Sequence, residues 1–103
     1  MYEHLESPVS IGRLNLPNRV FMPAMGVNLA APEGGVTDDL IAYYEARAHG
    51  GVGLIITEVT RIEDGPGASD PCQLAARRPS DVPELQRLID AIHKYDTKIF
   101  IQL

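Results

Sequence analysis

The chain is 103 residues long, 45% apolar and 22% charged, with a net charge of -5 from 9 Lys and Arg against 14 Asp and Glu. That balance fits a globular chain with one modest core and excludes disordered and fibrous classes. No basic stripe with interleaved aromatics is present, so nucleic acid is not an expected partner.

The opening segment "MYEHLESPVS" has two glutamates and neither a basic n-region nor an apolar h-region. No secretory signal is visible, and a cytoplasmic location is expected. "VSIGRLNL" alternates Val9 and Ile11 with Leu14 and Leu16 around Gly12-Arg13, which predicts a short capping β-hairpin over 8–16. Pro17 interrupts the pattern, and "RVFMPA" resumes as a buried strand over about 19–24, ended by Pro23.

A loop of small residues leads into "TDDLIAYYEARAHGG". Thr37 can cap the first free amides, Asp38 and Asp39 suit the positive end of the helix dipole, and Gly50 and Gly51 offer a left-handed stop. The spacing predicts a helix over 38–49. "VGLIITEVT" is then nearly continuous in β-branched and apolar residues, as in a strand covered on both faces, and is placed at about 53–60. Its core, Val52 to Ile56 with Gly53 inside it, falls far short of the ~20 residues that cross a bilayer. A membrane partner is not expected.

Leu85, Leu88, Ile89 and Ile92 recur at helical spacing, with Asp81 and Glu84 as a capping box and Pro83 in the first turn, predicting a helix over 82–95. "KIFIQL" begins another buried strand over 98–103. Strand and helix alternate, which implies parallel strands joined by right-handed crossovers, an α/β architecture. Two completions compete, a doubly wound sheet and a (β/α)8 TIM barrel.

A dinucleotide-binding sheet would carry Gly-x-Gly-x-x-Gly after its first strand, and "MPAMGVNLAAPEGG" does not. "GPGASD" after the second strand lacks the third glycine and meets Pro71 where a helix should start. A barrel of this kind needs roughly 250 residues, so these strands are expected to be its N-terminal portion, a fragment ending on the apolar "FIQL".

"NRVFMPAMG", "YYEARAHGGVGLIITEVT" and "DAIHKYDTKIFIQL", in that order, resemble the N-terminal third of the old yellow enzyme family of NADH:flavin oxidoreductases. The likeness is nearest to the branch of 2-enoate and 2,4-dienoyl-CoA reductases. It implies an FMN-binding TIM barrel in which NAD(P)H reduces the flavin and the flavin passes hydride to an activated C=C bond of an enoate or enone.

By that resemblance Ala24, Met25 and Gly26 form a wall against the isoalloxazine ring, and Val59 and Gln102 are further FMN contacts. The proton donor, the substrate anchors and the phosphate site would lie beyond Leu103. A 4Fe-4S cluster and FAD are expected only beyond this chain, and the full-length protein is expected as a homo-oligomer. Two positions depart from the family: Gly26 stands where many members carry Thr or Cys, and Val59 where others have Gly or Ala.

Physical chemistry suits these assignments. Small residues such as Ala24 and Gly26 let backbone amides approach a flat ring, and amide donors at its edge stabilise charge on the reduced cofactor. Gln102 offers both a donor and an acceptor, and buried without partners its amide would cost about 1–3 kcal/mol.

Blander readings stand beside these. Pro23, Ala24 and Gly26 can simply end a strand, and Val59 can be a core residue. Glu58 can be a general base, yet a role anchoring neighbouring backbone amides is favoured. His4, His49 and His93 lack ligand spacing, so no metal site is expected. Cys72, the single cysteine, can form no internal disulfide; it is expected as a free thiol in a polar loop near Arg77 and Arg78. Of Tyr43 and Tyr44, one ring is expected inward and one on the helix flank. The competing functions are a flavin-free (β/α)8 lyase or aldolase using Glu58 and a later lysine, and a non-catalytic α/β fragment.

Overall fold

The computed structural model describes residues 1–103. A single helical turn, α1 (Glu3–Glu6), precedes an antiparallel hairpin of β1 (Val9–Ile11) and β2 (Leu14–Leu16), with Gly12 at φ 56° in its turn. Arg19 holds this segment in place. Its amide donates to Leu5 O at 2.8 Å, and its guanidinium reaches Ser7 Oγ and Pro8 O.

A three-stranded parallel sheet follows, in the order β3 (Phe21–Met22), β4 (Leu54–Val59), β5 (Lys98–Gln102). Helix α2 (Asp38–His49) joins β3 to β4, and α3 (Val82–Ile92) joins β4 to β5. Both pack on one face, where Met22, Leu40, Tyr44, Ala48, Ile55, Leu85, Leu88 and Ile92 share one core. Neighbouring strands in chain order with both helices on a single face is the winding of a (β/α)8 barrel, seen here over its first three strands. The other face leaves Phe100 and Gln102 exposed.

Thr37 Oγ1 caps α2 by accepting from Leu40 N at 3.1 Å. Gly51, at φ 93°, supplies the left-handed stop, whereas Gly50 stays in the right-handed region. Leu40, Tyr44 and Ala48, one turn apart, are the buried stripe. In α3 the stripe is Leu85, Leu88, Ala91 and Ile92, with Leu and Ile side chains each contributing about 1.5–3 kcal/mol on burial.

Two boundaries and one cap differ most from the sequence expectation. The first strand contracts from 19–24 to two residues, because β4 pairs with β3 only through Leu54 and Ile55 and Pro23 has no amide to donate. The third helix ends at Ile92 rather than 95: His93 N closes on Ile89 O, and Tyr95 N turns back to Ile92 O. The expected capping box is absent. Asp81 takes a helical conformation, and its carboxylate accepts from the amides of Arg77 and Arg78, at 2.8 and 3.3 Å, while Glu84 pairs with Arg87.

Strand β4 carries an irregularity. Ile56 pairs with Phe100 and Val59 with Gln102, so three steps along β4 match two along β5.

Candidate functional site

The expected cofactor contacts all lie at the C-terminal end of the parallel sheet, where barrel proteins gather their functional groups. Ala24, Met25 and Gly26 follow β3 directly, with Ala24 half-buried and Met25 46% exposed. Val59 and Gln102, the last residues of β4 and β5, are register partners. Val59 is 38% exposed in this three-stranded sheet.

Gln102 departs from expectation. Its side chain is exposed and makes no hydrogen bond within the chain, on the edge strand of the three. Its backbone is fixed instead, its amide donating to Thr57 Oγ1 at 3.3 Å and its carbonyl accepting from Thr60 N at 2.7 Å. The backbone at Gln102 is thus held in position, and its side-chain amide is free to pair with a ligand.

At Gly26 an added Cβ would meet only Asp70 Oδ2, at 3.5 Å, so the loop after β4 lies close beside this corner. That loop is folded against the loop after β3. Ala30 N donates to Cys72 O at 3.2 Å, Cys72 N to Asn28 Oδ1 at 3.0 Å, and Ala75 N to Gly34 O at 3.1 Å. Gly34, at φ 92°, has no room for a side chain, since a Cβ there would stand 2.4 Å from that of Ala75.

Glu58 is 1% exposed, and both carboxylate oxygens are occupied. Oε2 accepts from Val27 N at 2.9 Å and Oε1 from Leu74 N at 3.2 Å. This is the anchoring arrangement, and its burial keeps the carboxylate away from solvent and from the open end of the sheet. Gln73, also 1% exposed, donates from Nε2 to Val59 O at 2.9 Å and accepts at Oε1 from Ser69 N at 2.7 Å. Sequence reasoning missed Gln73. A lone glutamine in "SDPCQLAARR" reads as solvated, and its only signal was the apolar "LAA" after it.

Several other titratable groups are engaged elsewhere. Arg77 binds Asp64, Asp81 and Glu33 O, and Arg78 also pairs with Asp64, so neither guanidinium is spent on the half-buried Cys72. Arg61, buried beside them, donates to Pro32 O at 3.1 Å. His49 packs edge-on against Tyr95, and no group of three or more His, Cys, Asp or Glu is placed to hold a metal ion. Tyr44 points inward and Tyr43 lies on the flank under the Arg47 guanidinium. Burial pushes the Tyr44 phenol up to about 12, with the nearby Glu58 and Tyr43 charges adding to the rise against the lowering effect of the Glu58 amide.

Residues 4–103 match the NADH:flavin oxidoreductase / NADH oxidase family. A NADH oxidase of Thermoanaerobacter brockii is 41% identical over 102 residues, covering 99% of this chain and 16% of that protein. Among solved structures, a 2-naphthoyl-CoA reductase in complex with 2-naphthoyl-CoA superposes over the whole chain with a TM-score of 0.92 at 30% identity, covering 16% of that protein. The old yellow enzyme from Trypanosoma cruzi gives 0.86 at 30% identity over 99% of this chain and 27% of its own. The chain therefore spans about one sixth of the length of the NADH oxidase it matches.

Proposed function

The chain belongs to the NADH:flavin oxidoreductase / NADH oxidase family, and we propose that it forms the first wall of an FMN site in an enzyme that reduces activated carbon–carbon double bonds. The observation that carries this reading is the gathering of Ala24, Met25, Gly26, Val59 and Gln102 at one end of the sheet, with the Gln102 backbone anchored and its side-chain amide unpaired. A flat aromatic cofactor fits such a place. Ala24 and Gly26 have little or no side chain to hold it off, and the Gln102 head offers a donor and an acceptor to a ring edge of matching polarity.

When bound, FMN supplies hydride transfer from NAD(P)H to the β-carbon of an enoate or enone. This chain's residues bind and orient. Ala24 to Gly26 present backbone to the ring, Met25 and Val59 cover it from water, and Gln102 fixes its rotation. The substrate class is supported by the resemblance to ene reductases and by the name of the 2-naphthoyl-CoA relative. A cytoplasmic location, a homo-oligomeric complete protein, and a 4Fe-4S cluster and FAD beyond Leu103 belong to the same proposal.

The test is spectroscopic. The complete barrel is expected to purify with a flavin absorbance and to oxidise NAD(P)H when an enone is added. A colourless, folded complete barrel overturns the proposal and favours the flavin-free lyase. The chain alone, with three strands of the barrel, is expected to bind FMN weakly or not at all in a fluorescence titration.

A further inference from the structure

Glu58 has no part in the reading above, yet it is the buried polar side chain that both loops of the site share. Its Oε2 holds the amide of Val27, the residue joined directly to Gly26. Its Oε1 holds the amide of Leu74, whose neighbour Gln73 in turn holds the carbonyl of Val59. The corner after β3 and the end of β4 are thus referred to one carboxylate in the core. Buried in the core and bonded to a backbone donor at each oxygen, this group does not face the site; what it controls is where those donors lie.

We propose that Glu58 is a positioning residue that sets how the Ala24–Gly26 corner meets the flavin, by tying Val27 N to Leu74 N through its two carboxylate oxygens. This rests on the assignment of the corner to FMN. Hydrogen bonds to a carboxylate are stronger than neutral ones, so the corner is held more stiffly than an exposed loop. The affinity and potential of a flavin follow the placement of donors around its ring. Glutamine at this position has the same shape but one donor end. That end must face an amide N–H, so one of the two loops is released.

The experiment uses the flavin-loaded complete barrel carrying Glu58→Gln. The expected result is retained far-UV circular dichroism, an FMN Kd raised about tenfold or more, and a displaced flavin absorbance band and midpoint potential. Tyr44→Phe is the comparator. It removes the acceptor of Glu58 N without touching the corner, so it should lower the thermal midpoint and leave the flavin band and potential in place. Should Glu58→Gln fail to fold, Glu58→Asp, which keeps both acceptor oxygens on a shorter arm, is read on the same quantities.

A folded Glu58 variant with wild-type affinity, band and potential overturns the proposal. So does a Tyr44→Phe protein that displaces the flavin as far as the Glu58 variant. A wild-type barrel that binds no flavin overturns the underlying assignment as well, which separates the two failures.

Discussion

The amide of Glu58 donates to the Tyr44 hydroxyl at 2.8 Å, which joins the end of the central strand to the buried face of α2. Both residues are almost wholly out of solvent, so the bond has no water to replace it. Replacing the phenol oxygen leaves a strand amide with no acceptor. Tyr44→Phe is expected to cost about 1–3 kcal/mol in a denaturant titration of a protein whose fold is otherwise intact. An unchanged midpoint would show that Glu58 N finds another partner.

The same phenol makes stability fall in alkali. Its folded value lies near 12, above the ordinary 10.0, so the native state keeps the proton where the unfolded chain has lost it. The contribution is whole below pH 10.0 and is lost progressively as the pH rises toward about 12. Thermal melts across this range should show a descending limb that Tyr44→Phe reduces. An equally steep limb in that variant would assign the loss to other groups.

Two glycines of the site should respond oppositely to alanine. At Gly34 the positive φ and the 2.4 Å approach to Ala75 leave no place for a methyl group, and Gly34→Ala is expected to destabilise by roughly 2 kcal/mol or more. At Gly26 the nearest heavy atom is 3.5 Å away and φ is not positive, so Gly26→Ala should change stability by less than about 0.5 kcal/mol. Differential scanning calorimetry of the two variants decides it, and a Gly26 variant as unstable as the Gly34 one would contradict this geometry.

In acid the turn before α3 should loosen. Burial alone would raise the Asp81 carboxyl, but the Arg77 amide and guanidinium and the Arg78 amide hold it below the ordinary carboxylate range. Because the folded value is depressed, the stabilisation is present above the unfolded value of about 3.9 and is lost as the pH falls through the folded one. Amide exchange at Arg77 and Arg78 is expected to accelerate there, and Asp81→Asn should show that faster exchange already at neutral pH. Exchange in the variant as slow as in the parent would refute the anchoring role.

Elements fixed by local chemistry were legible. The cap at Thr37 and the stripe of α3 follow from side chains a turn or less apart, and both are seen in the structure. The three strand-end motifs mark where Ala24, Val59 and Gln102 fall. Features that depend on distant partners were not legible. Burial of Gln73, Leu74 and Ala75 needs the loop to return beside Arg61 and Gly34, and no periodicity in a segment full of Gly, Pro and Asp announces that. The exposure of Gln102 likewise reflects what lies beside β5 rather than its own apolar surroundings. Asp81 was misread because its carboxylate can serve amides on either side, and the arginines before it won.

The uneven match of β4 to β5 decides which way the end of the central strand looks. Directly paired residues of parallel strands face the same side, so Ile56 shares a side with Phe100, and Val59 with Gln102. Phe100 and Gln102 are two apart and agree. Ile56 and Val59 are three apart and would oppose each other in a regular strand. The surplus residue cancels that reversal and turns Val59 away from the helices toward the hollow that a closed barrel would enclose. Deleting Thr57 alone would restore strict alternation with Val59 still opposite Gln102, and the cost would fall on the strand edge, where the hydroxyl that accepts from the Gln102 amide would be lost.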